Sequence, residues 1–207
     1  MNDDPKNLAV WGADPGTANM AAVLEIGAVP MLIIDIGSKA ATKGKVATAN
    51  MPAEPGKPDR FLVRVWALRR QVPGEVYDLI EEREIPESET TTEEIFNDFL
   101  TRVVAKPSEP QEACVERMVG NLAPDVIDQA GILVGLLWAW TGKQPKRVTS
   151  QAWRKRMLDL PGGCTAKVAE AEAVRRVREE VPGWPVEASG HAAEAYWIAR
   201  WAAEVSG

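Results

Sequence analysis

The pattern of hydrophobic and polar positions changes period several times along the chain. Near its start, short apolar runs with glycine-containing connections are typical of buried strands, and they cover residues 8–13, 21–26 and 30–36. Strands so close together in sequence predict an antiparallel meander. Two further apolar runs, over residues 112–118 and 147–149, predict two later strands.

Four segments have the pattern of helices. Thr91 or Thr92 begins the first, because glutamates follow at capping-box spacing and apolar side chains then recur every three or four residues. Residues 124–141 are apolar on nearly every side and stop at a glycine, which predicts a helix covered by the sheet and by something else, such as a second subunit. Residues 166–180 and 192–204 predict the last two helices.

The region 37–90 is less regular. Residues 37–58 are rich in Ala, Lys, Thr, Gly and Pro and predict a long exposed excursion. Residues 61–68 fit a strand or a helix equally well, whereas residues 73–84 predict a short acidic helix begun by a proline. With this region set aside as an insertion, the order βββαβαβα, whose final α stands for the last two helices, predicts an α/β protein. It has one domain over residues 1–207, with a mixed five-stranded sheet flanked by helices.

Composition excludes few functions. A chain of 207 residues with 45% hydrophobic and 26% charged residues is typical of a globular domain. The longest almost uncharged apolar run, residues 130–140, is too short to cross a bilayer, so no membrane partner is expected. Two cysteines cannot form a disulfide framework and no secretory signal is visible, which favours a cytoplasmic protein.

The net charge of −6 argues at first against a nucleic-acid partner, but the positive charge is concentrated. Residues 37–72 contain eight Lys and Arg against two acidic residues, and residues 143–156 contain six with no acidic residue. Each cluster could be an ordinary solvated face or a local positive surface that binds phosphates. The candidate phosphate contacts in these clusters are Arg69, Arg70, Arg154, Lys155 and Arg156.

Carboxylates and the single histidine lie where predicted strands and helices should converge: Asp14, Glu116, His191 and Glu194. Together they are a suitable ligand set for Mg²⁺ or Mn²⁺. Each also has a simpler interpretation. Asp14 precedes a Pro-Gly pair and fits turn chemistry, and His191 could bond to backbone at a helix start. Glu116, inside a predicted strand, needs a partner, for which the nearby Arg117 and Arg147 are candidates.

Four stretches, taken in order, resemble motifs of the RuvC-type Holliday junction resolvases, which have an RNase H-like fold. "WGADPGTANMA" resembles their first strand and turn, and "CVERMVGN" resembles the strand that carries their second acidic residue. "QAWRKRMLDLPGGCTAKVAEA" is similar to their basic segment, and "HAAEAYWIARW" resembles their closing helix. The resemblance extends over residues 8–203 and omits the 37–90 region.

The resemblance implies a metal-dependent crossover junction endodeoxyribonuclease, which resolves four-way (Holliday) junctions or other branched DNA by paired nicks. It implies that two Mg²⁺ or Mn²⁺ ions are held by the catalytic residues Asp14, Glu116, His191 and Glu194. It also implies a homodimer, for which the helix over residues 124–141 is the candidate interface. It supports Arg154, Lys155 and Arg156 as DNA contacts and adds two further residues, Asn121 and Lys167.

One departure from the family leaves the function open. The family usually has Asp where this chain has Glu194, so either the site is built around the longer side chain or it is impaired. An impaired site would make the chain a branched-DNA-binding protein with weak catalysis. Actin-like ATPases and sugar kinases are a further alternative, because they place an Asp-x-Gly-Thr turn after a first strand. They need two such lobes, however, and DNA cleavage without nucleotide would exclude them.

Overall fold

The computed structural model describes residues 8–15, 19–27, 29–39, 60–71, 74–104, 111–117 and 124–206. Seven strands lie within these ranges: β1 Ala9–Asp14, β2 Asn19–Ile26, β3 Val29–Lys39, β4 Arg60–Gln71, β5 Gly74–Pro86, β6 Glu112–Arg117 and β7 Lys146–Thr149. The helices there are α1 Thr92–Val103, α2 Pro124–Thr141, α3 Ser150–Leu158, α4 Ala166–Glu180 and α5 Gly190–Ser206.

The strands form one mixed sheet in the order β5-β4-β3-β2-β1-β6-β7. From β5 to β1 each neighbouring pair is antiparallel, and β6 and β7 continue parallel to β1. The predicted meander and the α/β class with a mixed sheet flanked by helices are therefore confirmed. The sheet has seven strands where five were expected, because β4 and β5 extend it beyond β3.

The 37–90 region differs most from expectation. The ambiguous residues 61–68 are part of β4, and the helix predicted over residues 73–84 is wrong, since β5 covers that segment. The acidic residues of β5 face arginines of β4 and form ion pairs across the hairpin: Arg60–Glu84, Arg64–Glu82 and Arg69–Asp78. Such cross-strand pairs stabilise an edge strand regardless of local helix signals. The excursion predicted over residues 37–58 lies outside the described residues after Lys39.

Two hydrophobic cores lie on opposite faces of the sheet. One core joins the sheet to α3, α4 and α5, and the other joins it to α1 and α2. Thr91 caps α1 with the expected capping box. Helix α3 was not predicted, and its buried residue Trp153 belongs to the first core. None of the described helices combines the length and apolarity that a bilayer span requires.

Helix α5 packs closely against the middle of the sheet. A Cβ atom added to Gly12 of β1 would lie 2.2 Å from the Ala195 carbonyl oxygen and 2.3 Å from the Ala199 nitrogen. Because both atoms are backbone, only glycine allows the strand and helix to approach this far. This contact fixes the distance between Asp14, two residues along β1, and the side chains at the start of α5.

Candidate metal centre

Three of the four predicted ligands come from two packed elements. Asp14 is the last residue of β1, and His191 and Glu194 lie one turn apart at the start of α5. Their ligand atoms all lie within 4.8 Å of one another. The His191 Nδ1 atom is 2.6 Å from Asp14 Oδ2, so the histidine bonds to a side chain and not to backbone.

Glu116 lies beside this group on the neighbouring strand. Strand β6 is parallel to β1 with Ala13 opposite Val115, which puts Glu116 next to Asp14 along the sheet. The partners of Glu116 come from α3: the Ser150 hydroxyl donates to Oε1, and Trp153 Nε1 donates to Oε2 at 2.8 Å. Arg117 and Arg147, the alternative partners, are exposed, and the Glu116 oxygens are bonded to α3 instead.

Helix α3 also supplies the charge that faces Glu194. Arg154 Nη2 donates to Glu194 Oε1 at 2.7 Å, and the two side chains are only 16% and 7% exposed. The Arg154 guanidinium lies 5.2 Å from the centre of the Trp153 ring. Because Ser150, Trp153 and Arg154 are spaced i, i+3 and i+4, one face of α3 contacts two carboxylates of the site.

The electrostatics show that negative charge is crowded here. Burial and, after it, the charge of Asp14 together raise the pKa of Glu194 to about 7, while Arg154 opposes the shift. Burial followed by the Asp14 charge likewise raises the pKa of Glu116. The hydrogen bond to Asp14 raises the pKa of His191 to about 9 against the cost of burial. Asp14 is thus the charge to which the other three side chains respond.

These residues fit a divalent cation. Two carboxylates and an imidazole suit Mg²⁺ or Mn²⁺, and oxygen ligands on opposite sides of one Mg²⁺ are about 4.2 Å apart. The ligand atoms of Asp14, His191 and Glu194 lie within 4.8 Å of one another, so small side-chain movements would let all three bind one ion.

A further acidic residue on this face was missed by the sequence analysis. Asp35 of β3 is two strands from Asp14 in the same row of the sheet, with only Ala21 between them. It is 7% exposed, and burial raises its pKa. The signal was an aspartate inside the apolar run of residues 30–36, a position as unusual as that of Glu116.

The predicted DNA contacts are scattered. On α3 and α4, Lys155, Arg156 and Lys167 are exposed, and Arg156 pairs with Glu204 at 2.9 Å. Arg69 lies near the far end of β4 and pairs with Asp78 at 3.2 Å. By alternation with Val65 and Ala67 it faces the α1 and α2 side of the sheet, away from Asp14. The Arg70 side chain and Asn121 lie outside the described residues.

Comparison with known proteins gives structural similarity only. No protein-family model and no curated protein matches the chain. Thermus thermophilus RuvC is 12% identical, with a TM-score of 0.44 over 93% of this chain and 91% of that chain. T. thermophilus RuvC in complex with a Holliday junction substrate has 12% identity, a TM-score of 0.43 and coverage of 93% and 90%. The Fowlpox virus resolvase with substrate Holliday junction DNA has 10% identity, a TM-score of 0.41 and coverage of 96% and 99%.

Proposed function

We propose that this chain is a divalent-metal-dependent endonuclease that resolves four-way DNA junctions by paired nicks. The observation that carries the proposal is the convergence of Asp14, His191 and Glu194 within 4.8 Å, beside Glu116 on the next strand. A sheet face does not accumulate buried carboxylates unless a cation or a proton compensates them. The order of the four motifs along the sequence supports the same function.

Each residue of the site has a proposed role. Asp14, His191 and Glu194 would hold one divalent ion, and Glu116 would help to hold a second. Bound ions would activate water and stabilise the oxygen that leaves the cleaved phosphodiester. Ser150 and Trp153 orient the Glu116 carboxylate, while Arg154 balances Glu194 and is placed to bind a phosphate that enters the site.

A homodimer suits a junction with two equivalent strands to cut. The proposed interface is the outer face of α2, where Ile127, Ile132 and Trp138 are each about half exposed, at 52%, 53% and 50%. The opposite face of the same helix is core, since Leu133 and Leu137 are fully buried. Exposed apolar side chains grouped on one helix are typical of association surfaces.

A second candidate function is a branched-DNA-binding protein that does not cleave. The observation in its favour is the Arg154–Glu194 ion pair, which already neutralises one of the proposed ligands. The two functions differ in one measurable respect: binding without nicks in both Mg²⁺ and Mn²⁺ would favour the second.

The test is incubation with a labelled synthetic four-way junction, without nucleotide, in Mg²⁺ or Mn²⁺, with nicks resolved on denaturing gels. Asp14→Asn and Glu116→Gln should abolish nicking and leave junction binding intact. The matched control is Glu112→Gln, because Glu112 is a buried carboxylate on the same face of β6 but pairs with Lys143 and Lys146. Nicking by Asp14→Asn at the wild-type rate would contradict the proposal.

A further inference from the structure

Asp35 is a buried carboxylate that the proposed chemistry does not use. It faces α5 from β3, and the chain brings it within two strands of Asp14. A carboxylate at 7% exposure is costly unless its oxygens have strong hydrogen-bond donors. Its donors therefore indicate what the residue does.

Both oxygens of Asp35 bind a single residue, Ser189. The Ser189 backbone N–H donates to Oδ2 at 2.8 Å, and its hydroxyl donates to Oδ1 at 2.7 Å. The Ser189 hydroxyl oxygen in turn accepts from the Ala192 N–H at 3.3 Å, as an N-cap side chain does. Asp35 thus attaches the first turn of α5 to strand β3.

His191 lies in that first turn, two residues after Ser189. The rest of α5 is held separately, by the close approach at Gly12 and by the Arg200–Glu25 ion pair at 3.3 Å. Beside Asp35 a cleft of about 220 Å³ opens, lined also by Arg64 and Ser189. Ser189, the residue before the first turn, therefore borders open space on this side, and the two Asp35 contacts tie it to β3.

We propose that Asp35 is a positioning residue, which acts through Ser189 to hold the first turn of α5 so that His191 reaches Asp14. Only the expected effect on junction cleavage rests on the proposed function; the positioning of His191 does not. The contact between His191 and Asp14 is measurable without DNA, so the failure of one proposal can be distinguished from the failure of the other.

The experiment uses the fact that His191 is the only histidine of the chain, so the imidazole NMR signals need no assignment. In Asp35→Ala those signals should move away from their wild-type positions. Mn²⁺ affinity without DNA and kcat for junction cleavage should each fall roughly 10–100-fold, the range for residues that orient a metal ligand. The KM for the junction should stay within about twofold, because Asp35 contributes no phosphate contact.

Asp35→Asn should restore most of this loss. Its amide oxygen can accept from the Ser189 N–H and its amide nitrogen can donate to the Ser189 oxygen, so both contacts survive in altered form. Ser189→Ala, which keeps only the backbone contact, should lie between Asp35→Asn and Asp35→Ala. This ranking provides the test if Asp35→Ala does not fold.

Glu25→Gln is the control, since Glu25 is a buried carboxylate that holds α5 at its other end. It should lower stability but leave the His191 signals and Mn²⁺ affinity unchanged. Wild-type His191 signals in Asp35→Ala, or the same disturbance in Glu25→Gln, would overturn the proposal. Loss of Mn²⁺ in Asp35→Asn as complete as in Asp14→Asn would also overturn it, because Asp35 would then be a ligand. If the His191 signals shift in Asp35→Ala but the wild-type protein does not nick junctions, the positioning role of Asp35 is supported and the nuclease function is contradicted.

Discussion

Gly12→Ala is the sharpest test of how the fold forms the site. The new Cβ would lie 2.2 Å from the Ala195 carbonyl oxygen, whereas such a contact needs more than 3 Å, so α5 must move about 1 Å from β1. Overpacking typically costs 1–3 kcal/mol, and the upper end applies because both sides of this contact are backbone. A loss of about 3 kcal/mol lowers Tm by roughly 6–12 °C in a chain of this length.

The same displacement separates Asp14 on β1 from His191 and Glu194 on α5. A misplacement of about 1 Å can cost on the order of 100-fold in rate, so nicking and Mn²⁺ affinity should fall much further than stability alone requires. Urea unfolding and Mn²⁺ titration at 20 °C measure the two effects. Gly131→Ala on α2 is the control: its Cβ meets nothing within 4 Å, and the helix should gain about 1 kcal/mol. If Gly12→Ala unfolds and binds Mn²⁺ like the wild type, the close approach is not what holds the site.

Three further predictions concern charged side chains in the site and on the surface. Mn²⁺ affinity should rise between pH 6 and 8, because the metal displaces protons from Glu194, whose pKa is about 7, and from His191, whose pKa is about 9. Equal affinities at the two pH values, measured by calorimetric titration, would contradict this. Glu194→Asp should weaken Mg²⁺ binding, because the Glu194 carboxylate already reaches both the other ligands and Arg154, and a shorter side chain would withdraw it. The rate of nicking in limiting Mg²⁺ measures the effect, and a faster variant would show that Glu194 crowds the site. Replacing the exposed Lys155 and Lys167 by Ala should reduce the slope of log affinity against log salt by about 2, and an unchanged slope would make them ordinary surface residues.

Much of the fold could be predicted because its signals are local. The continuous apolar runs of β1 to β3 and the i, i+3, i+4 pattern of α1 are set by neighbouring residues, and the structure has these elements. The capping box at Thr91 is likewise a contact between residues three apart. Asp14 and the His191–Glu194 pair could be proposed as ligands for a similar reason: each stands at the end of an element whose type the neighbouring residues determine.

What the tertiary structure decided depends on contacts between residues far apart in the chain. Strand β5 exists because its acidic residues pair with arginines of β4, against a local pattern that indicated a helix. The partners of Glu116 are 34 and 37 residues away on α3, and the Asp35–Ser189 bonds join residues 154 apart. A buried charge is stabilised by whichever donors the fold brings to it, and spacing along the chain carries no record of them. The sequence by itself therefore determined which residues are candidates for the site, and only the packed structure decided which of them come together and which groups hold them in place.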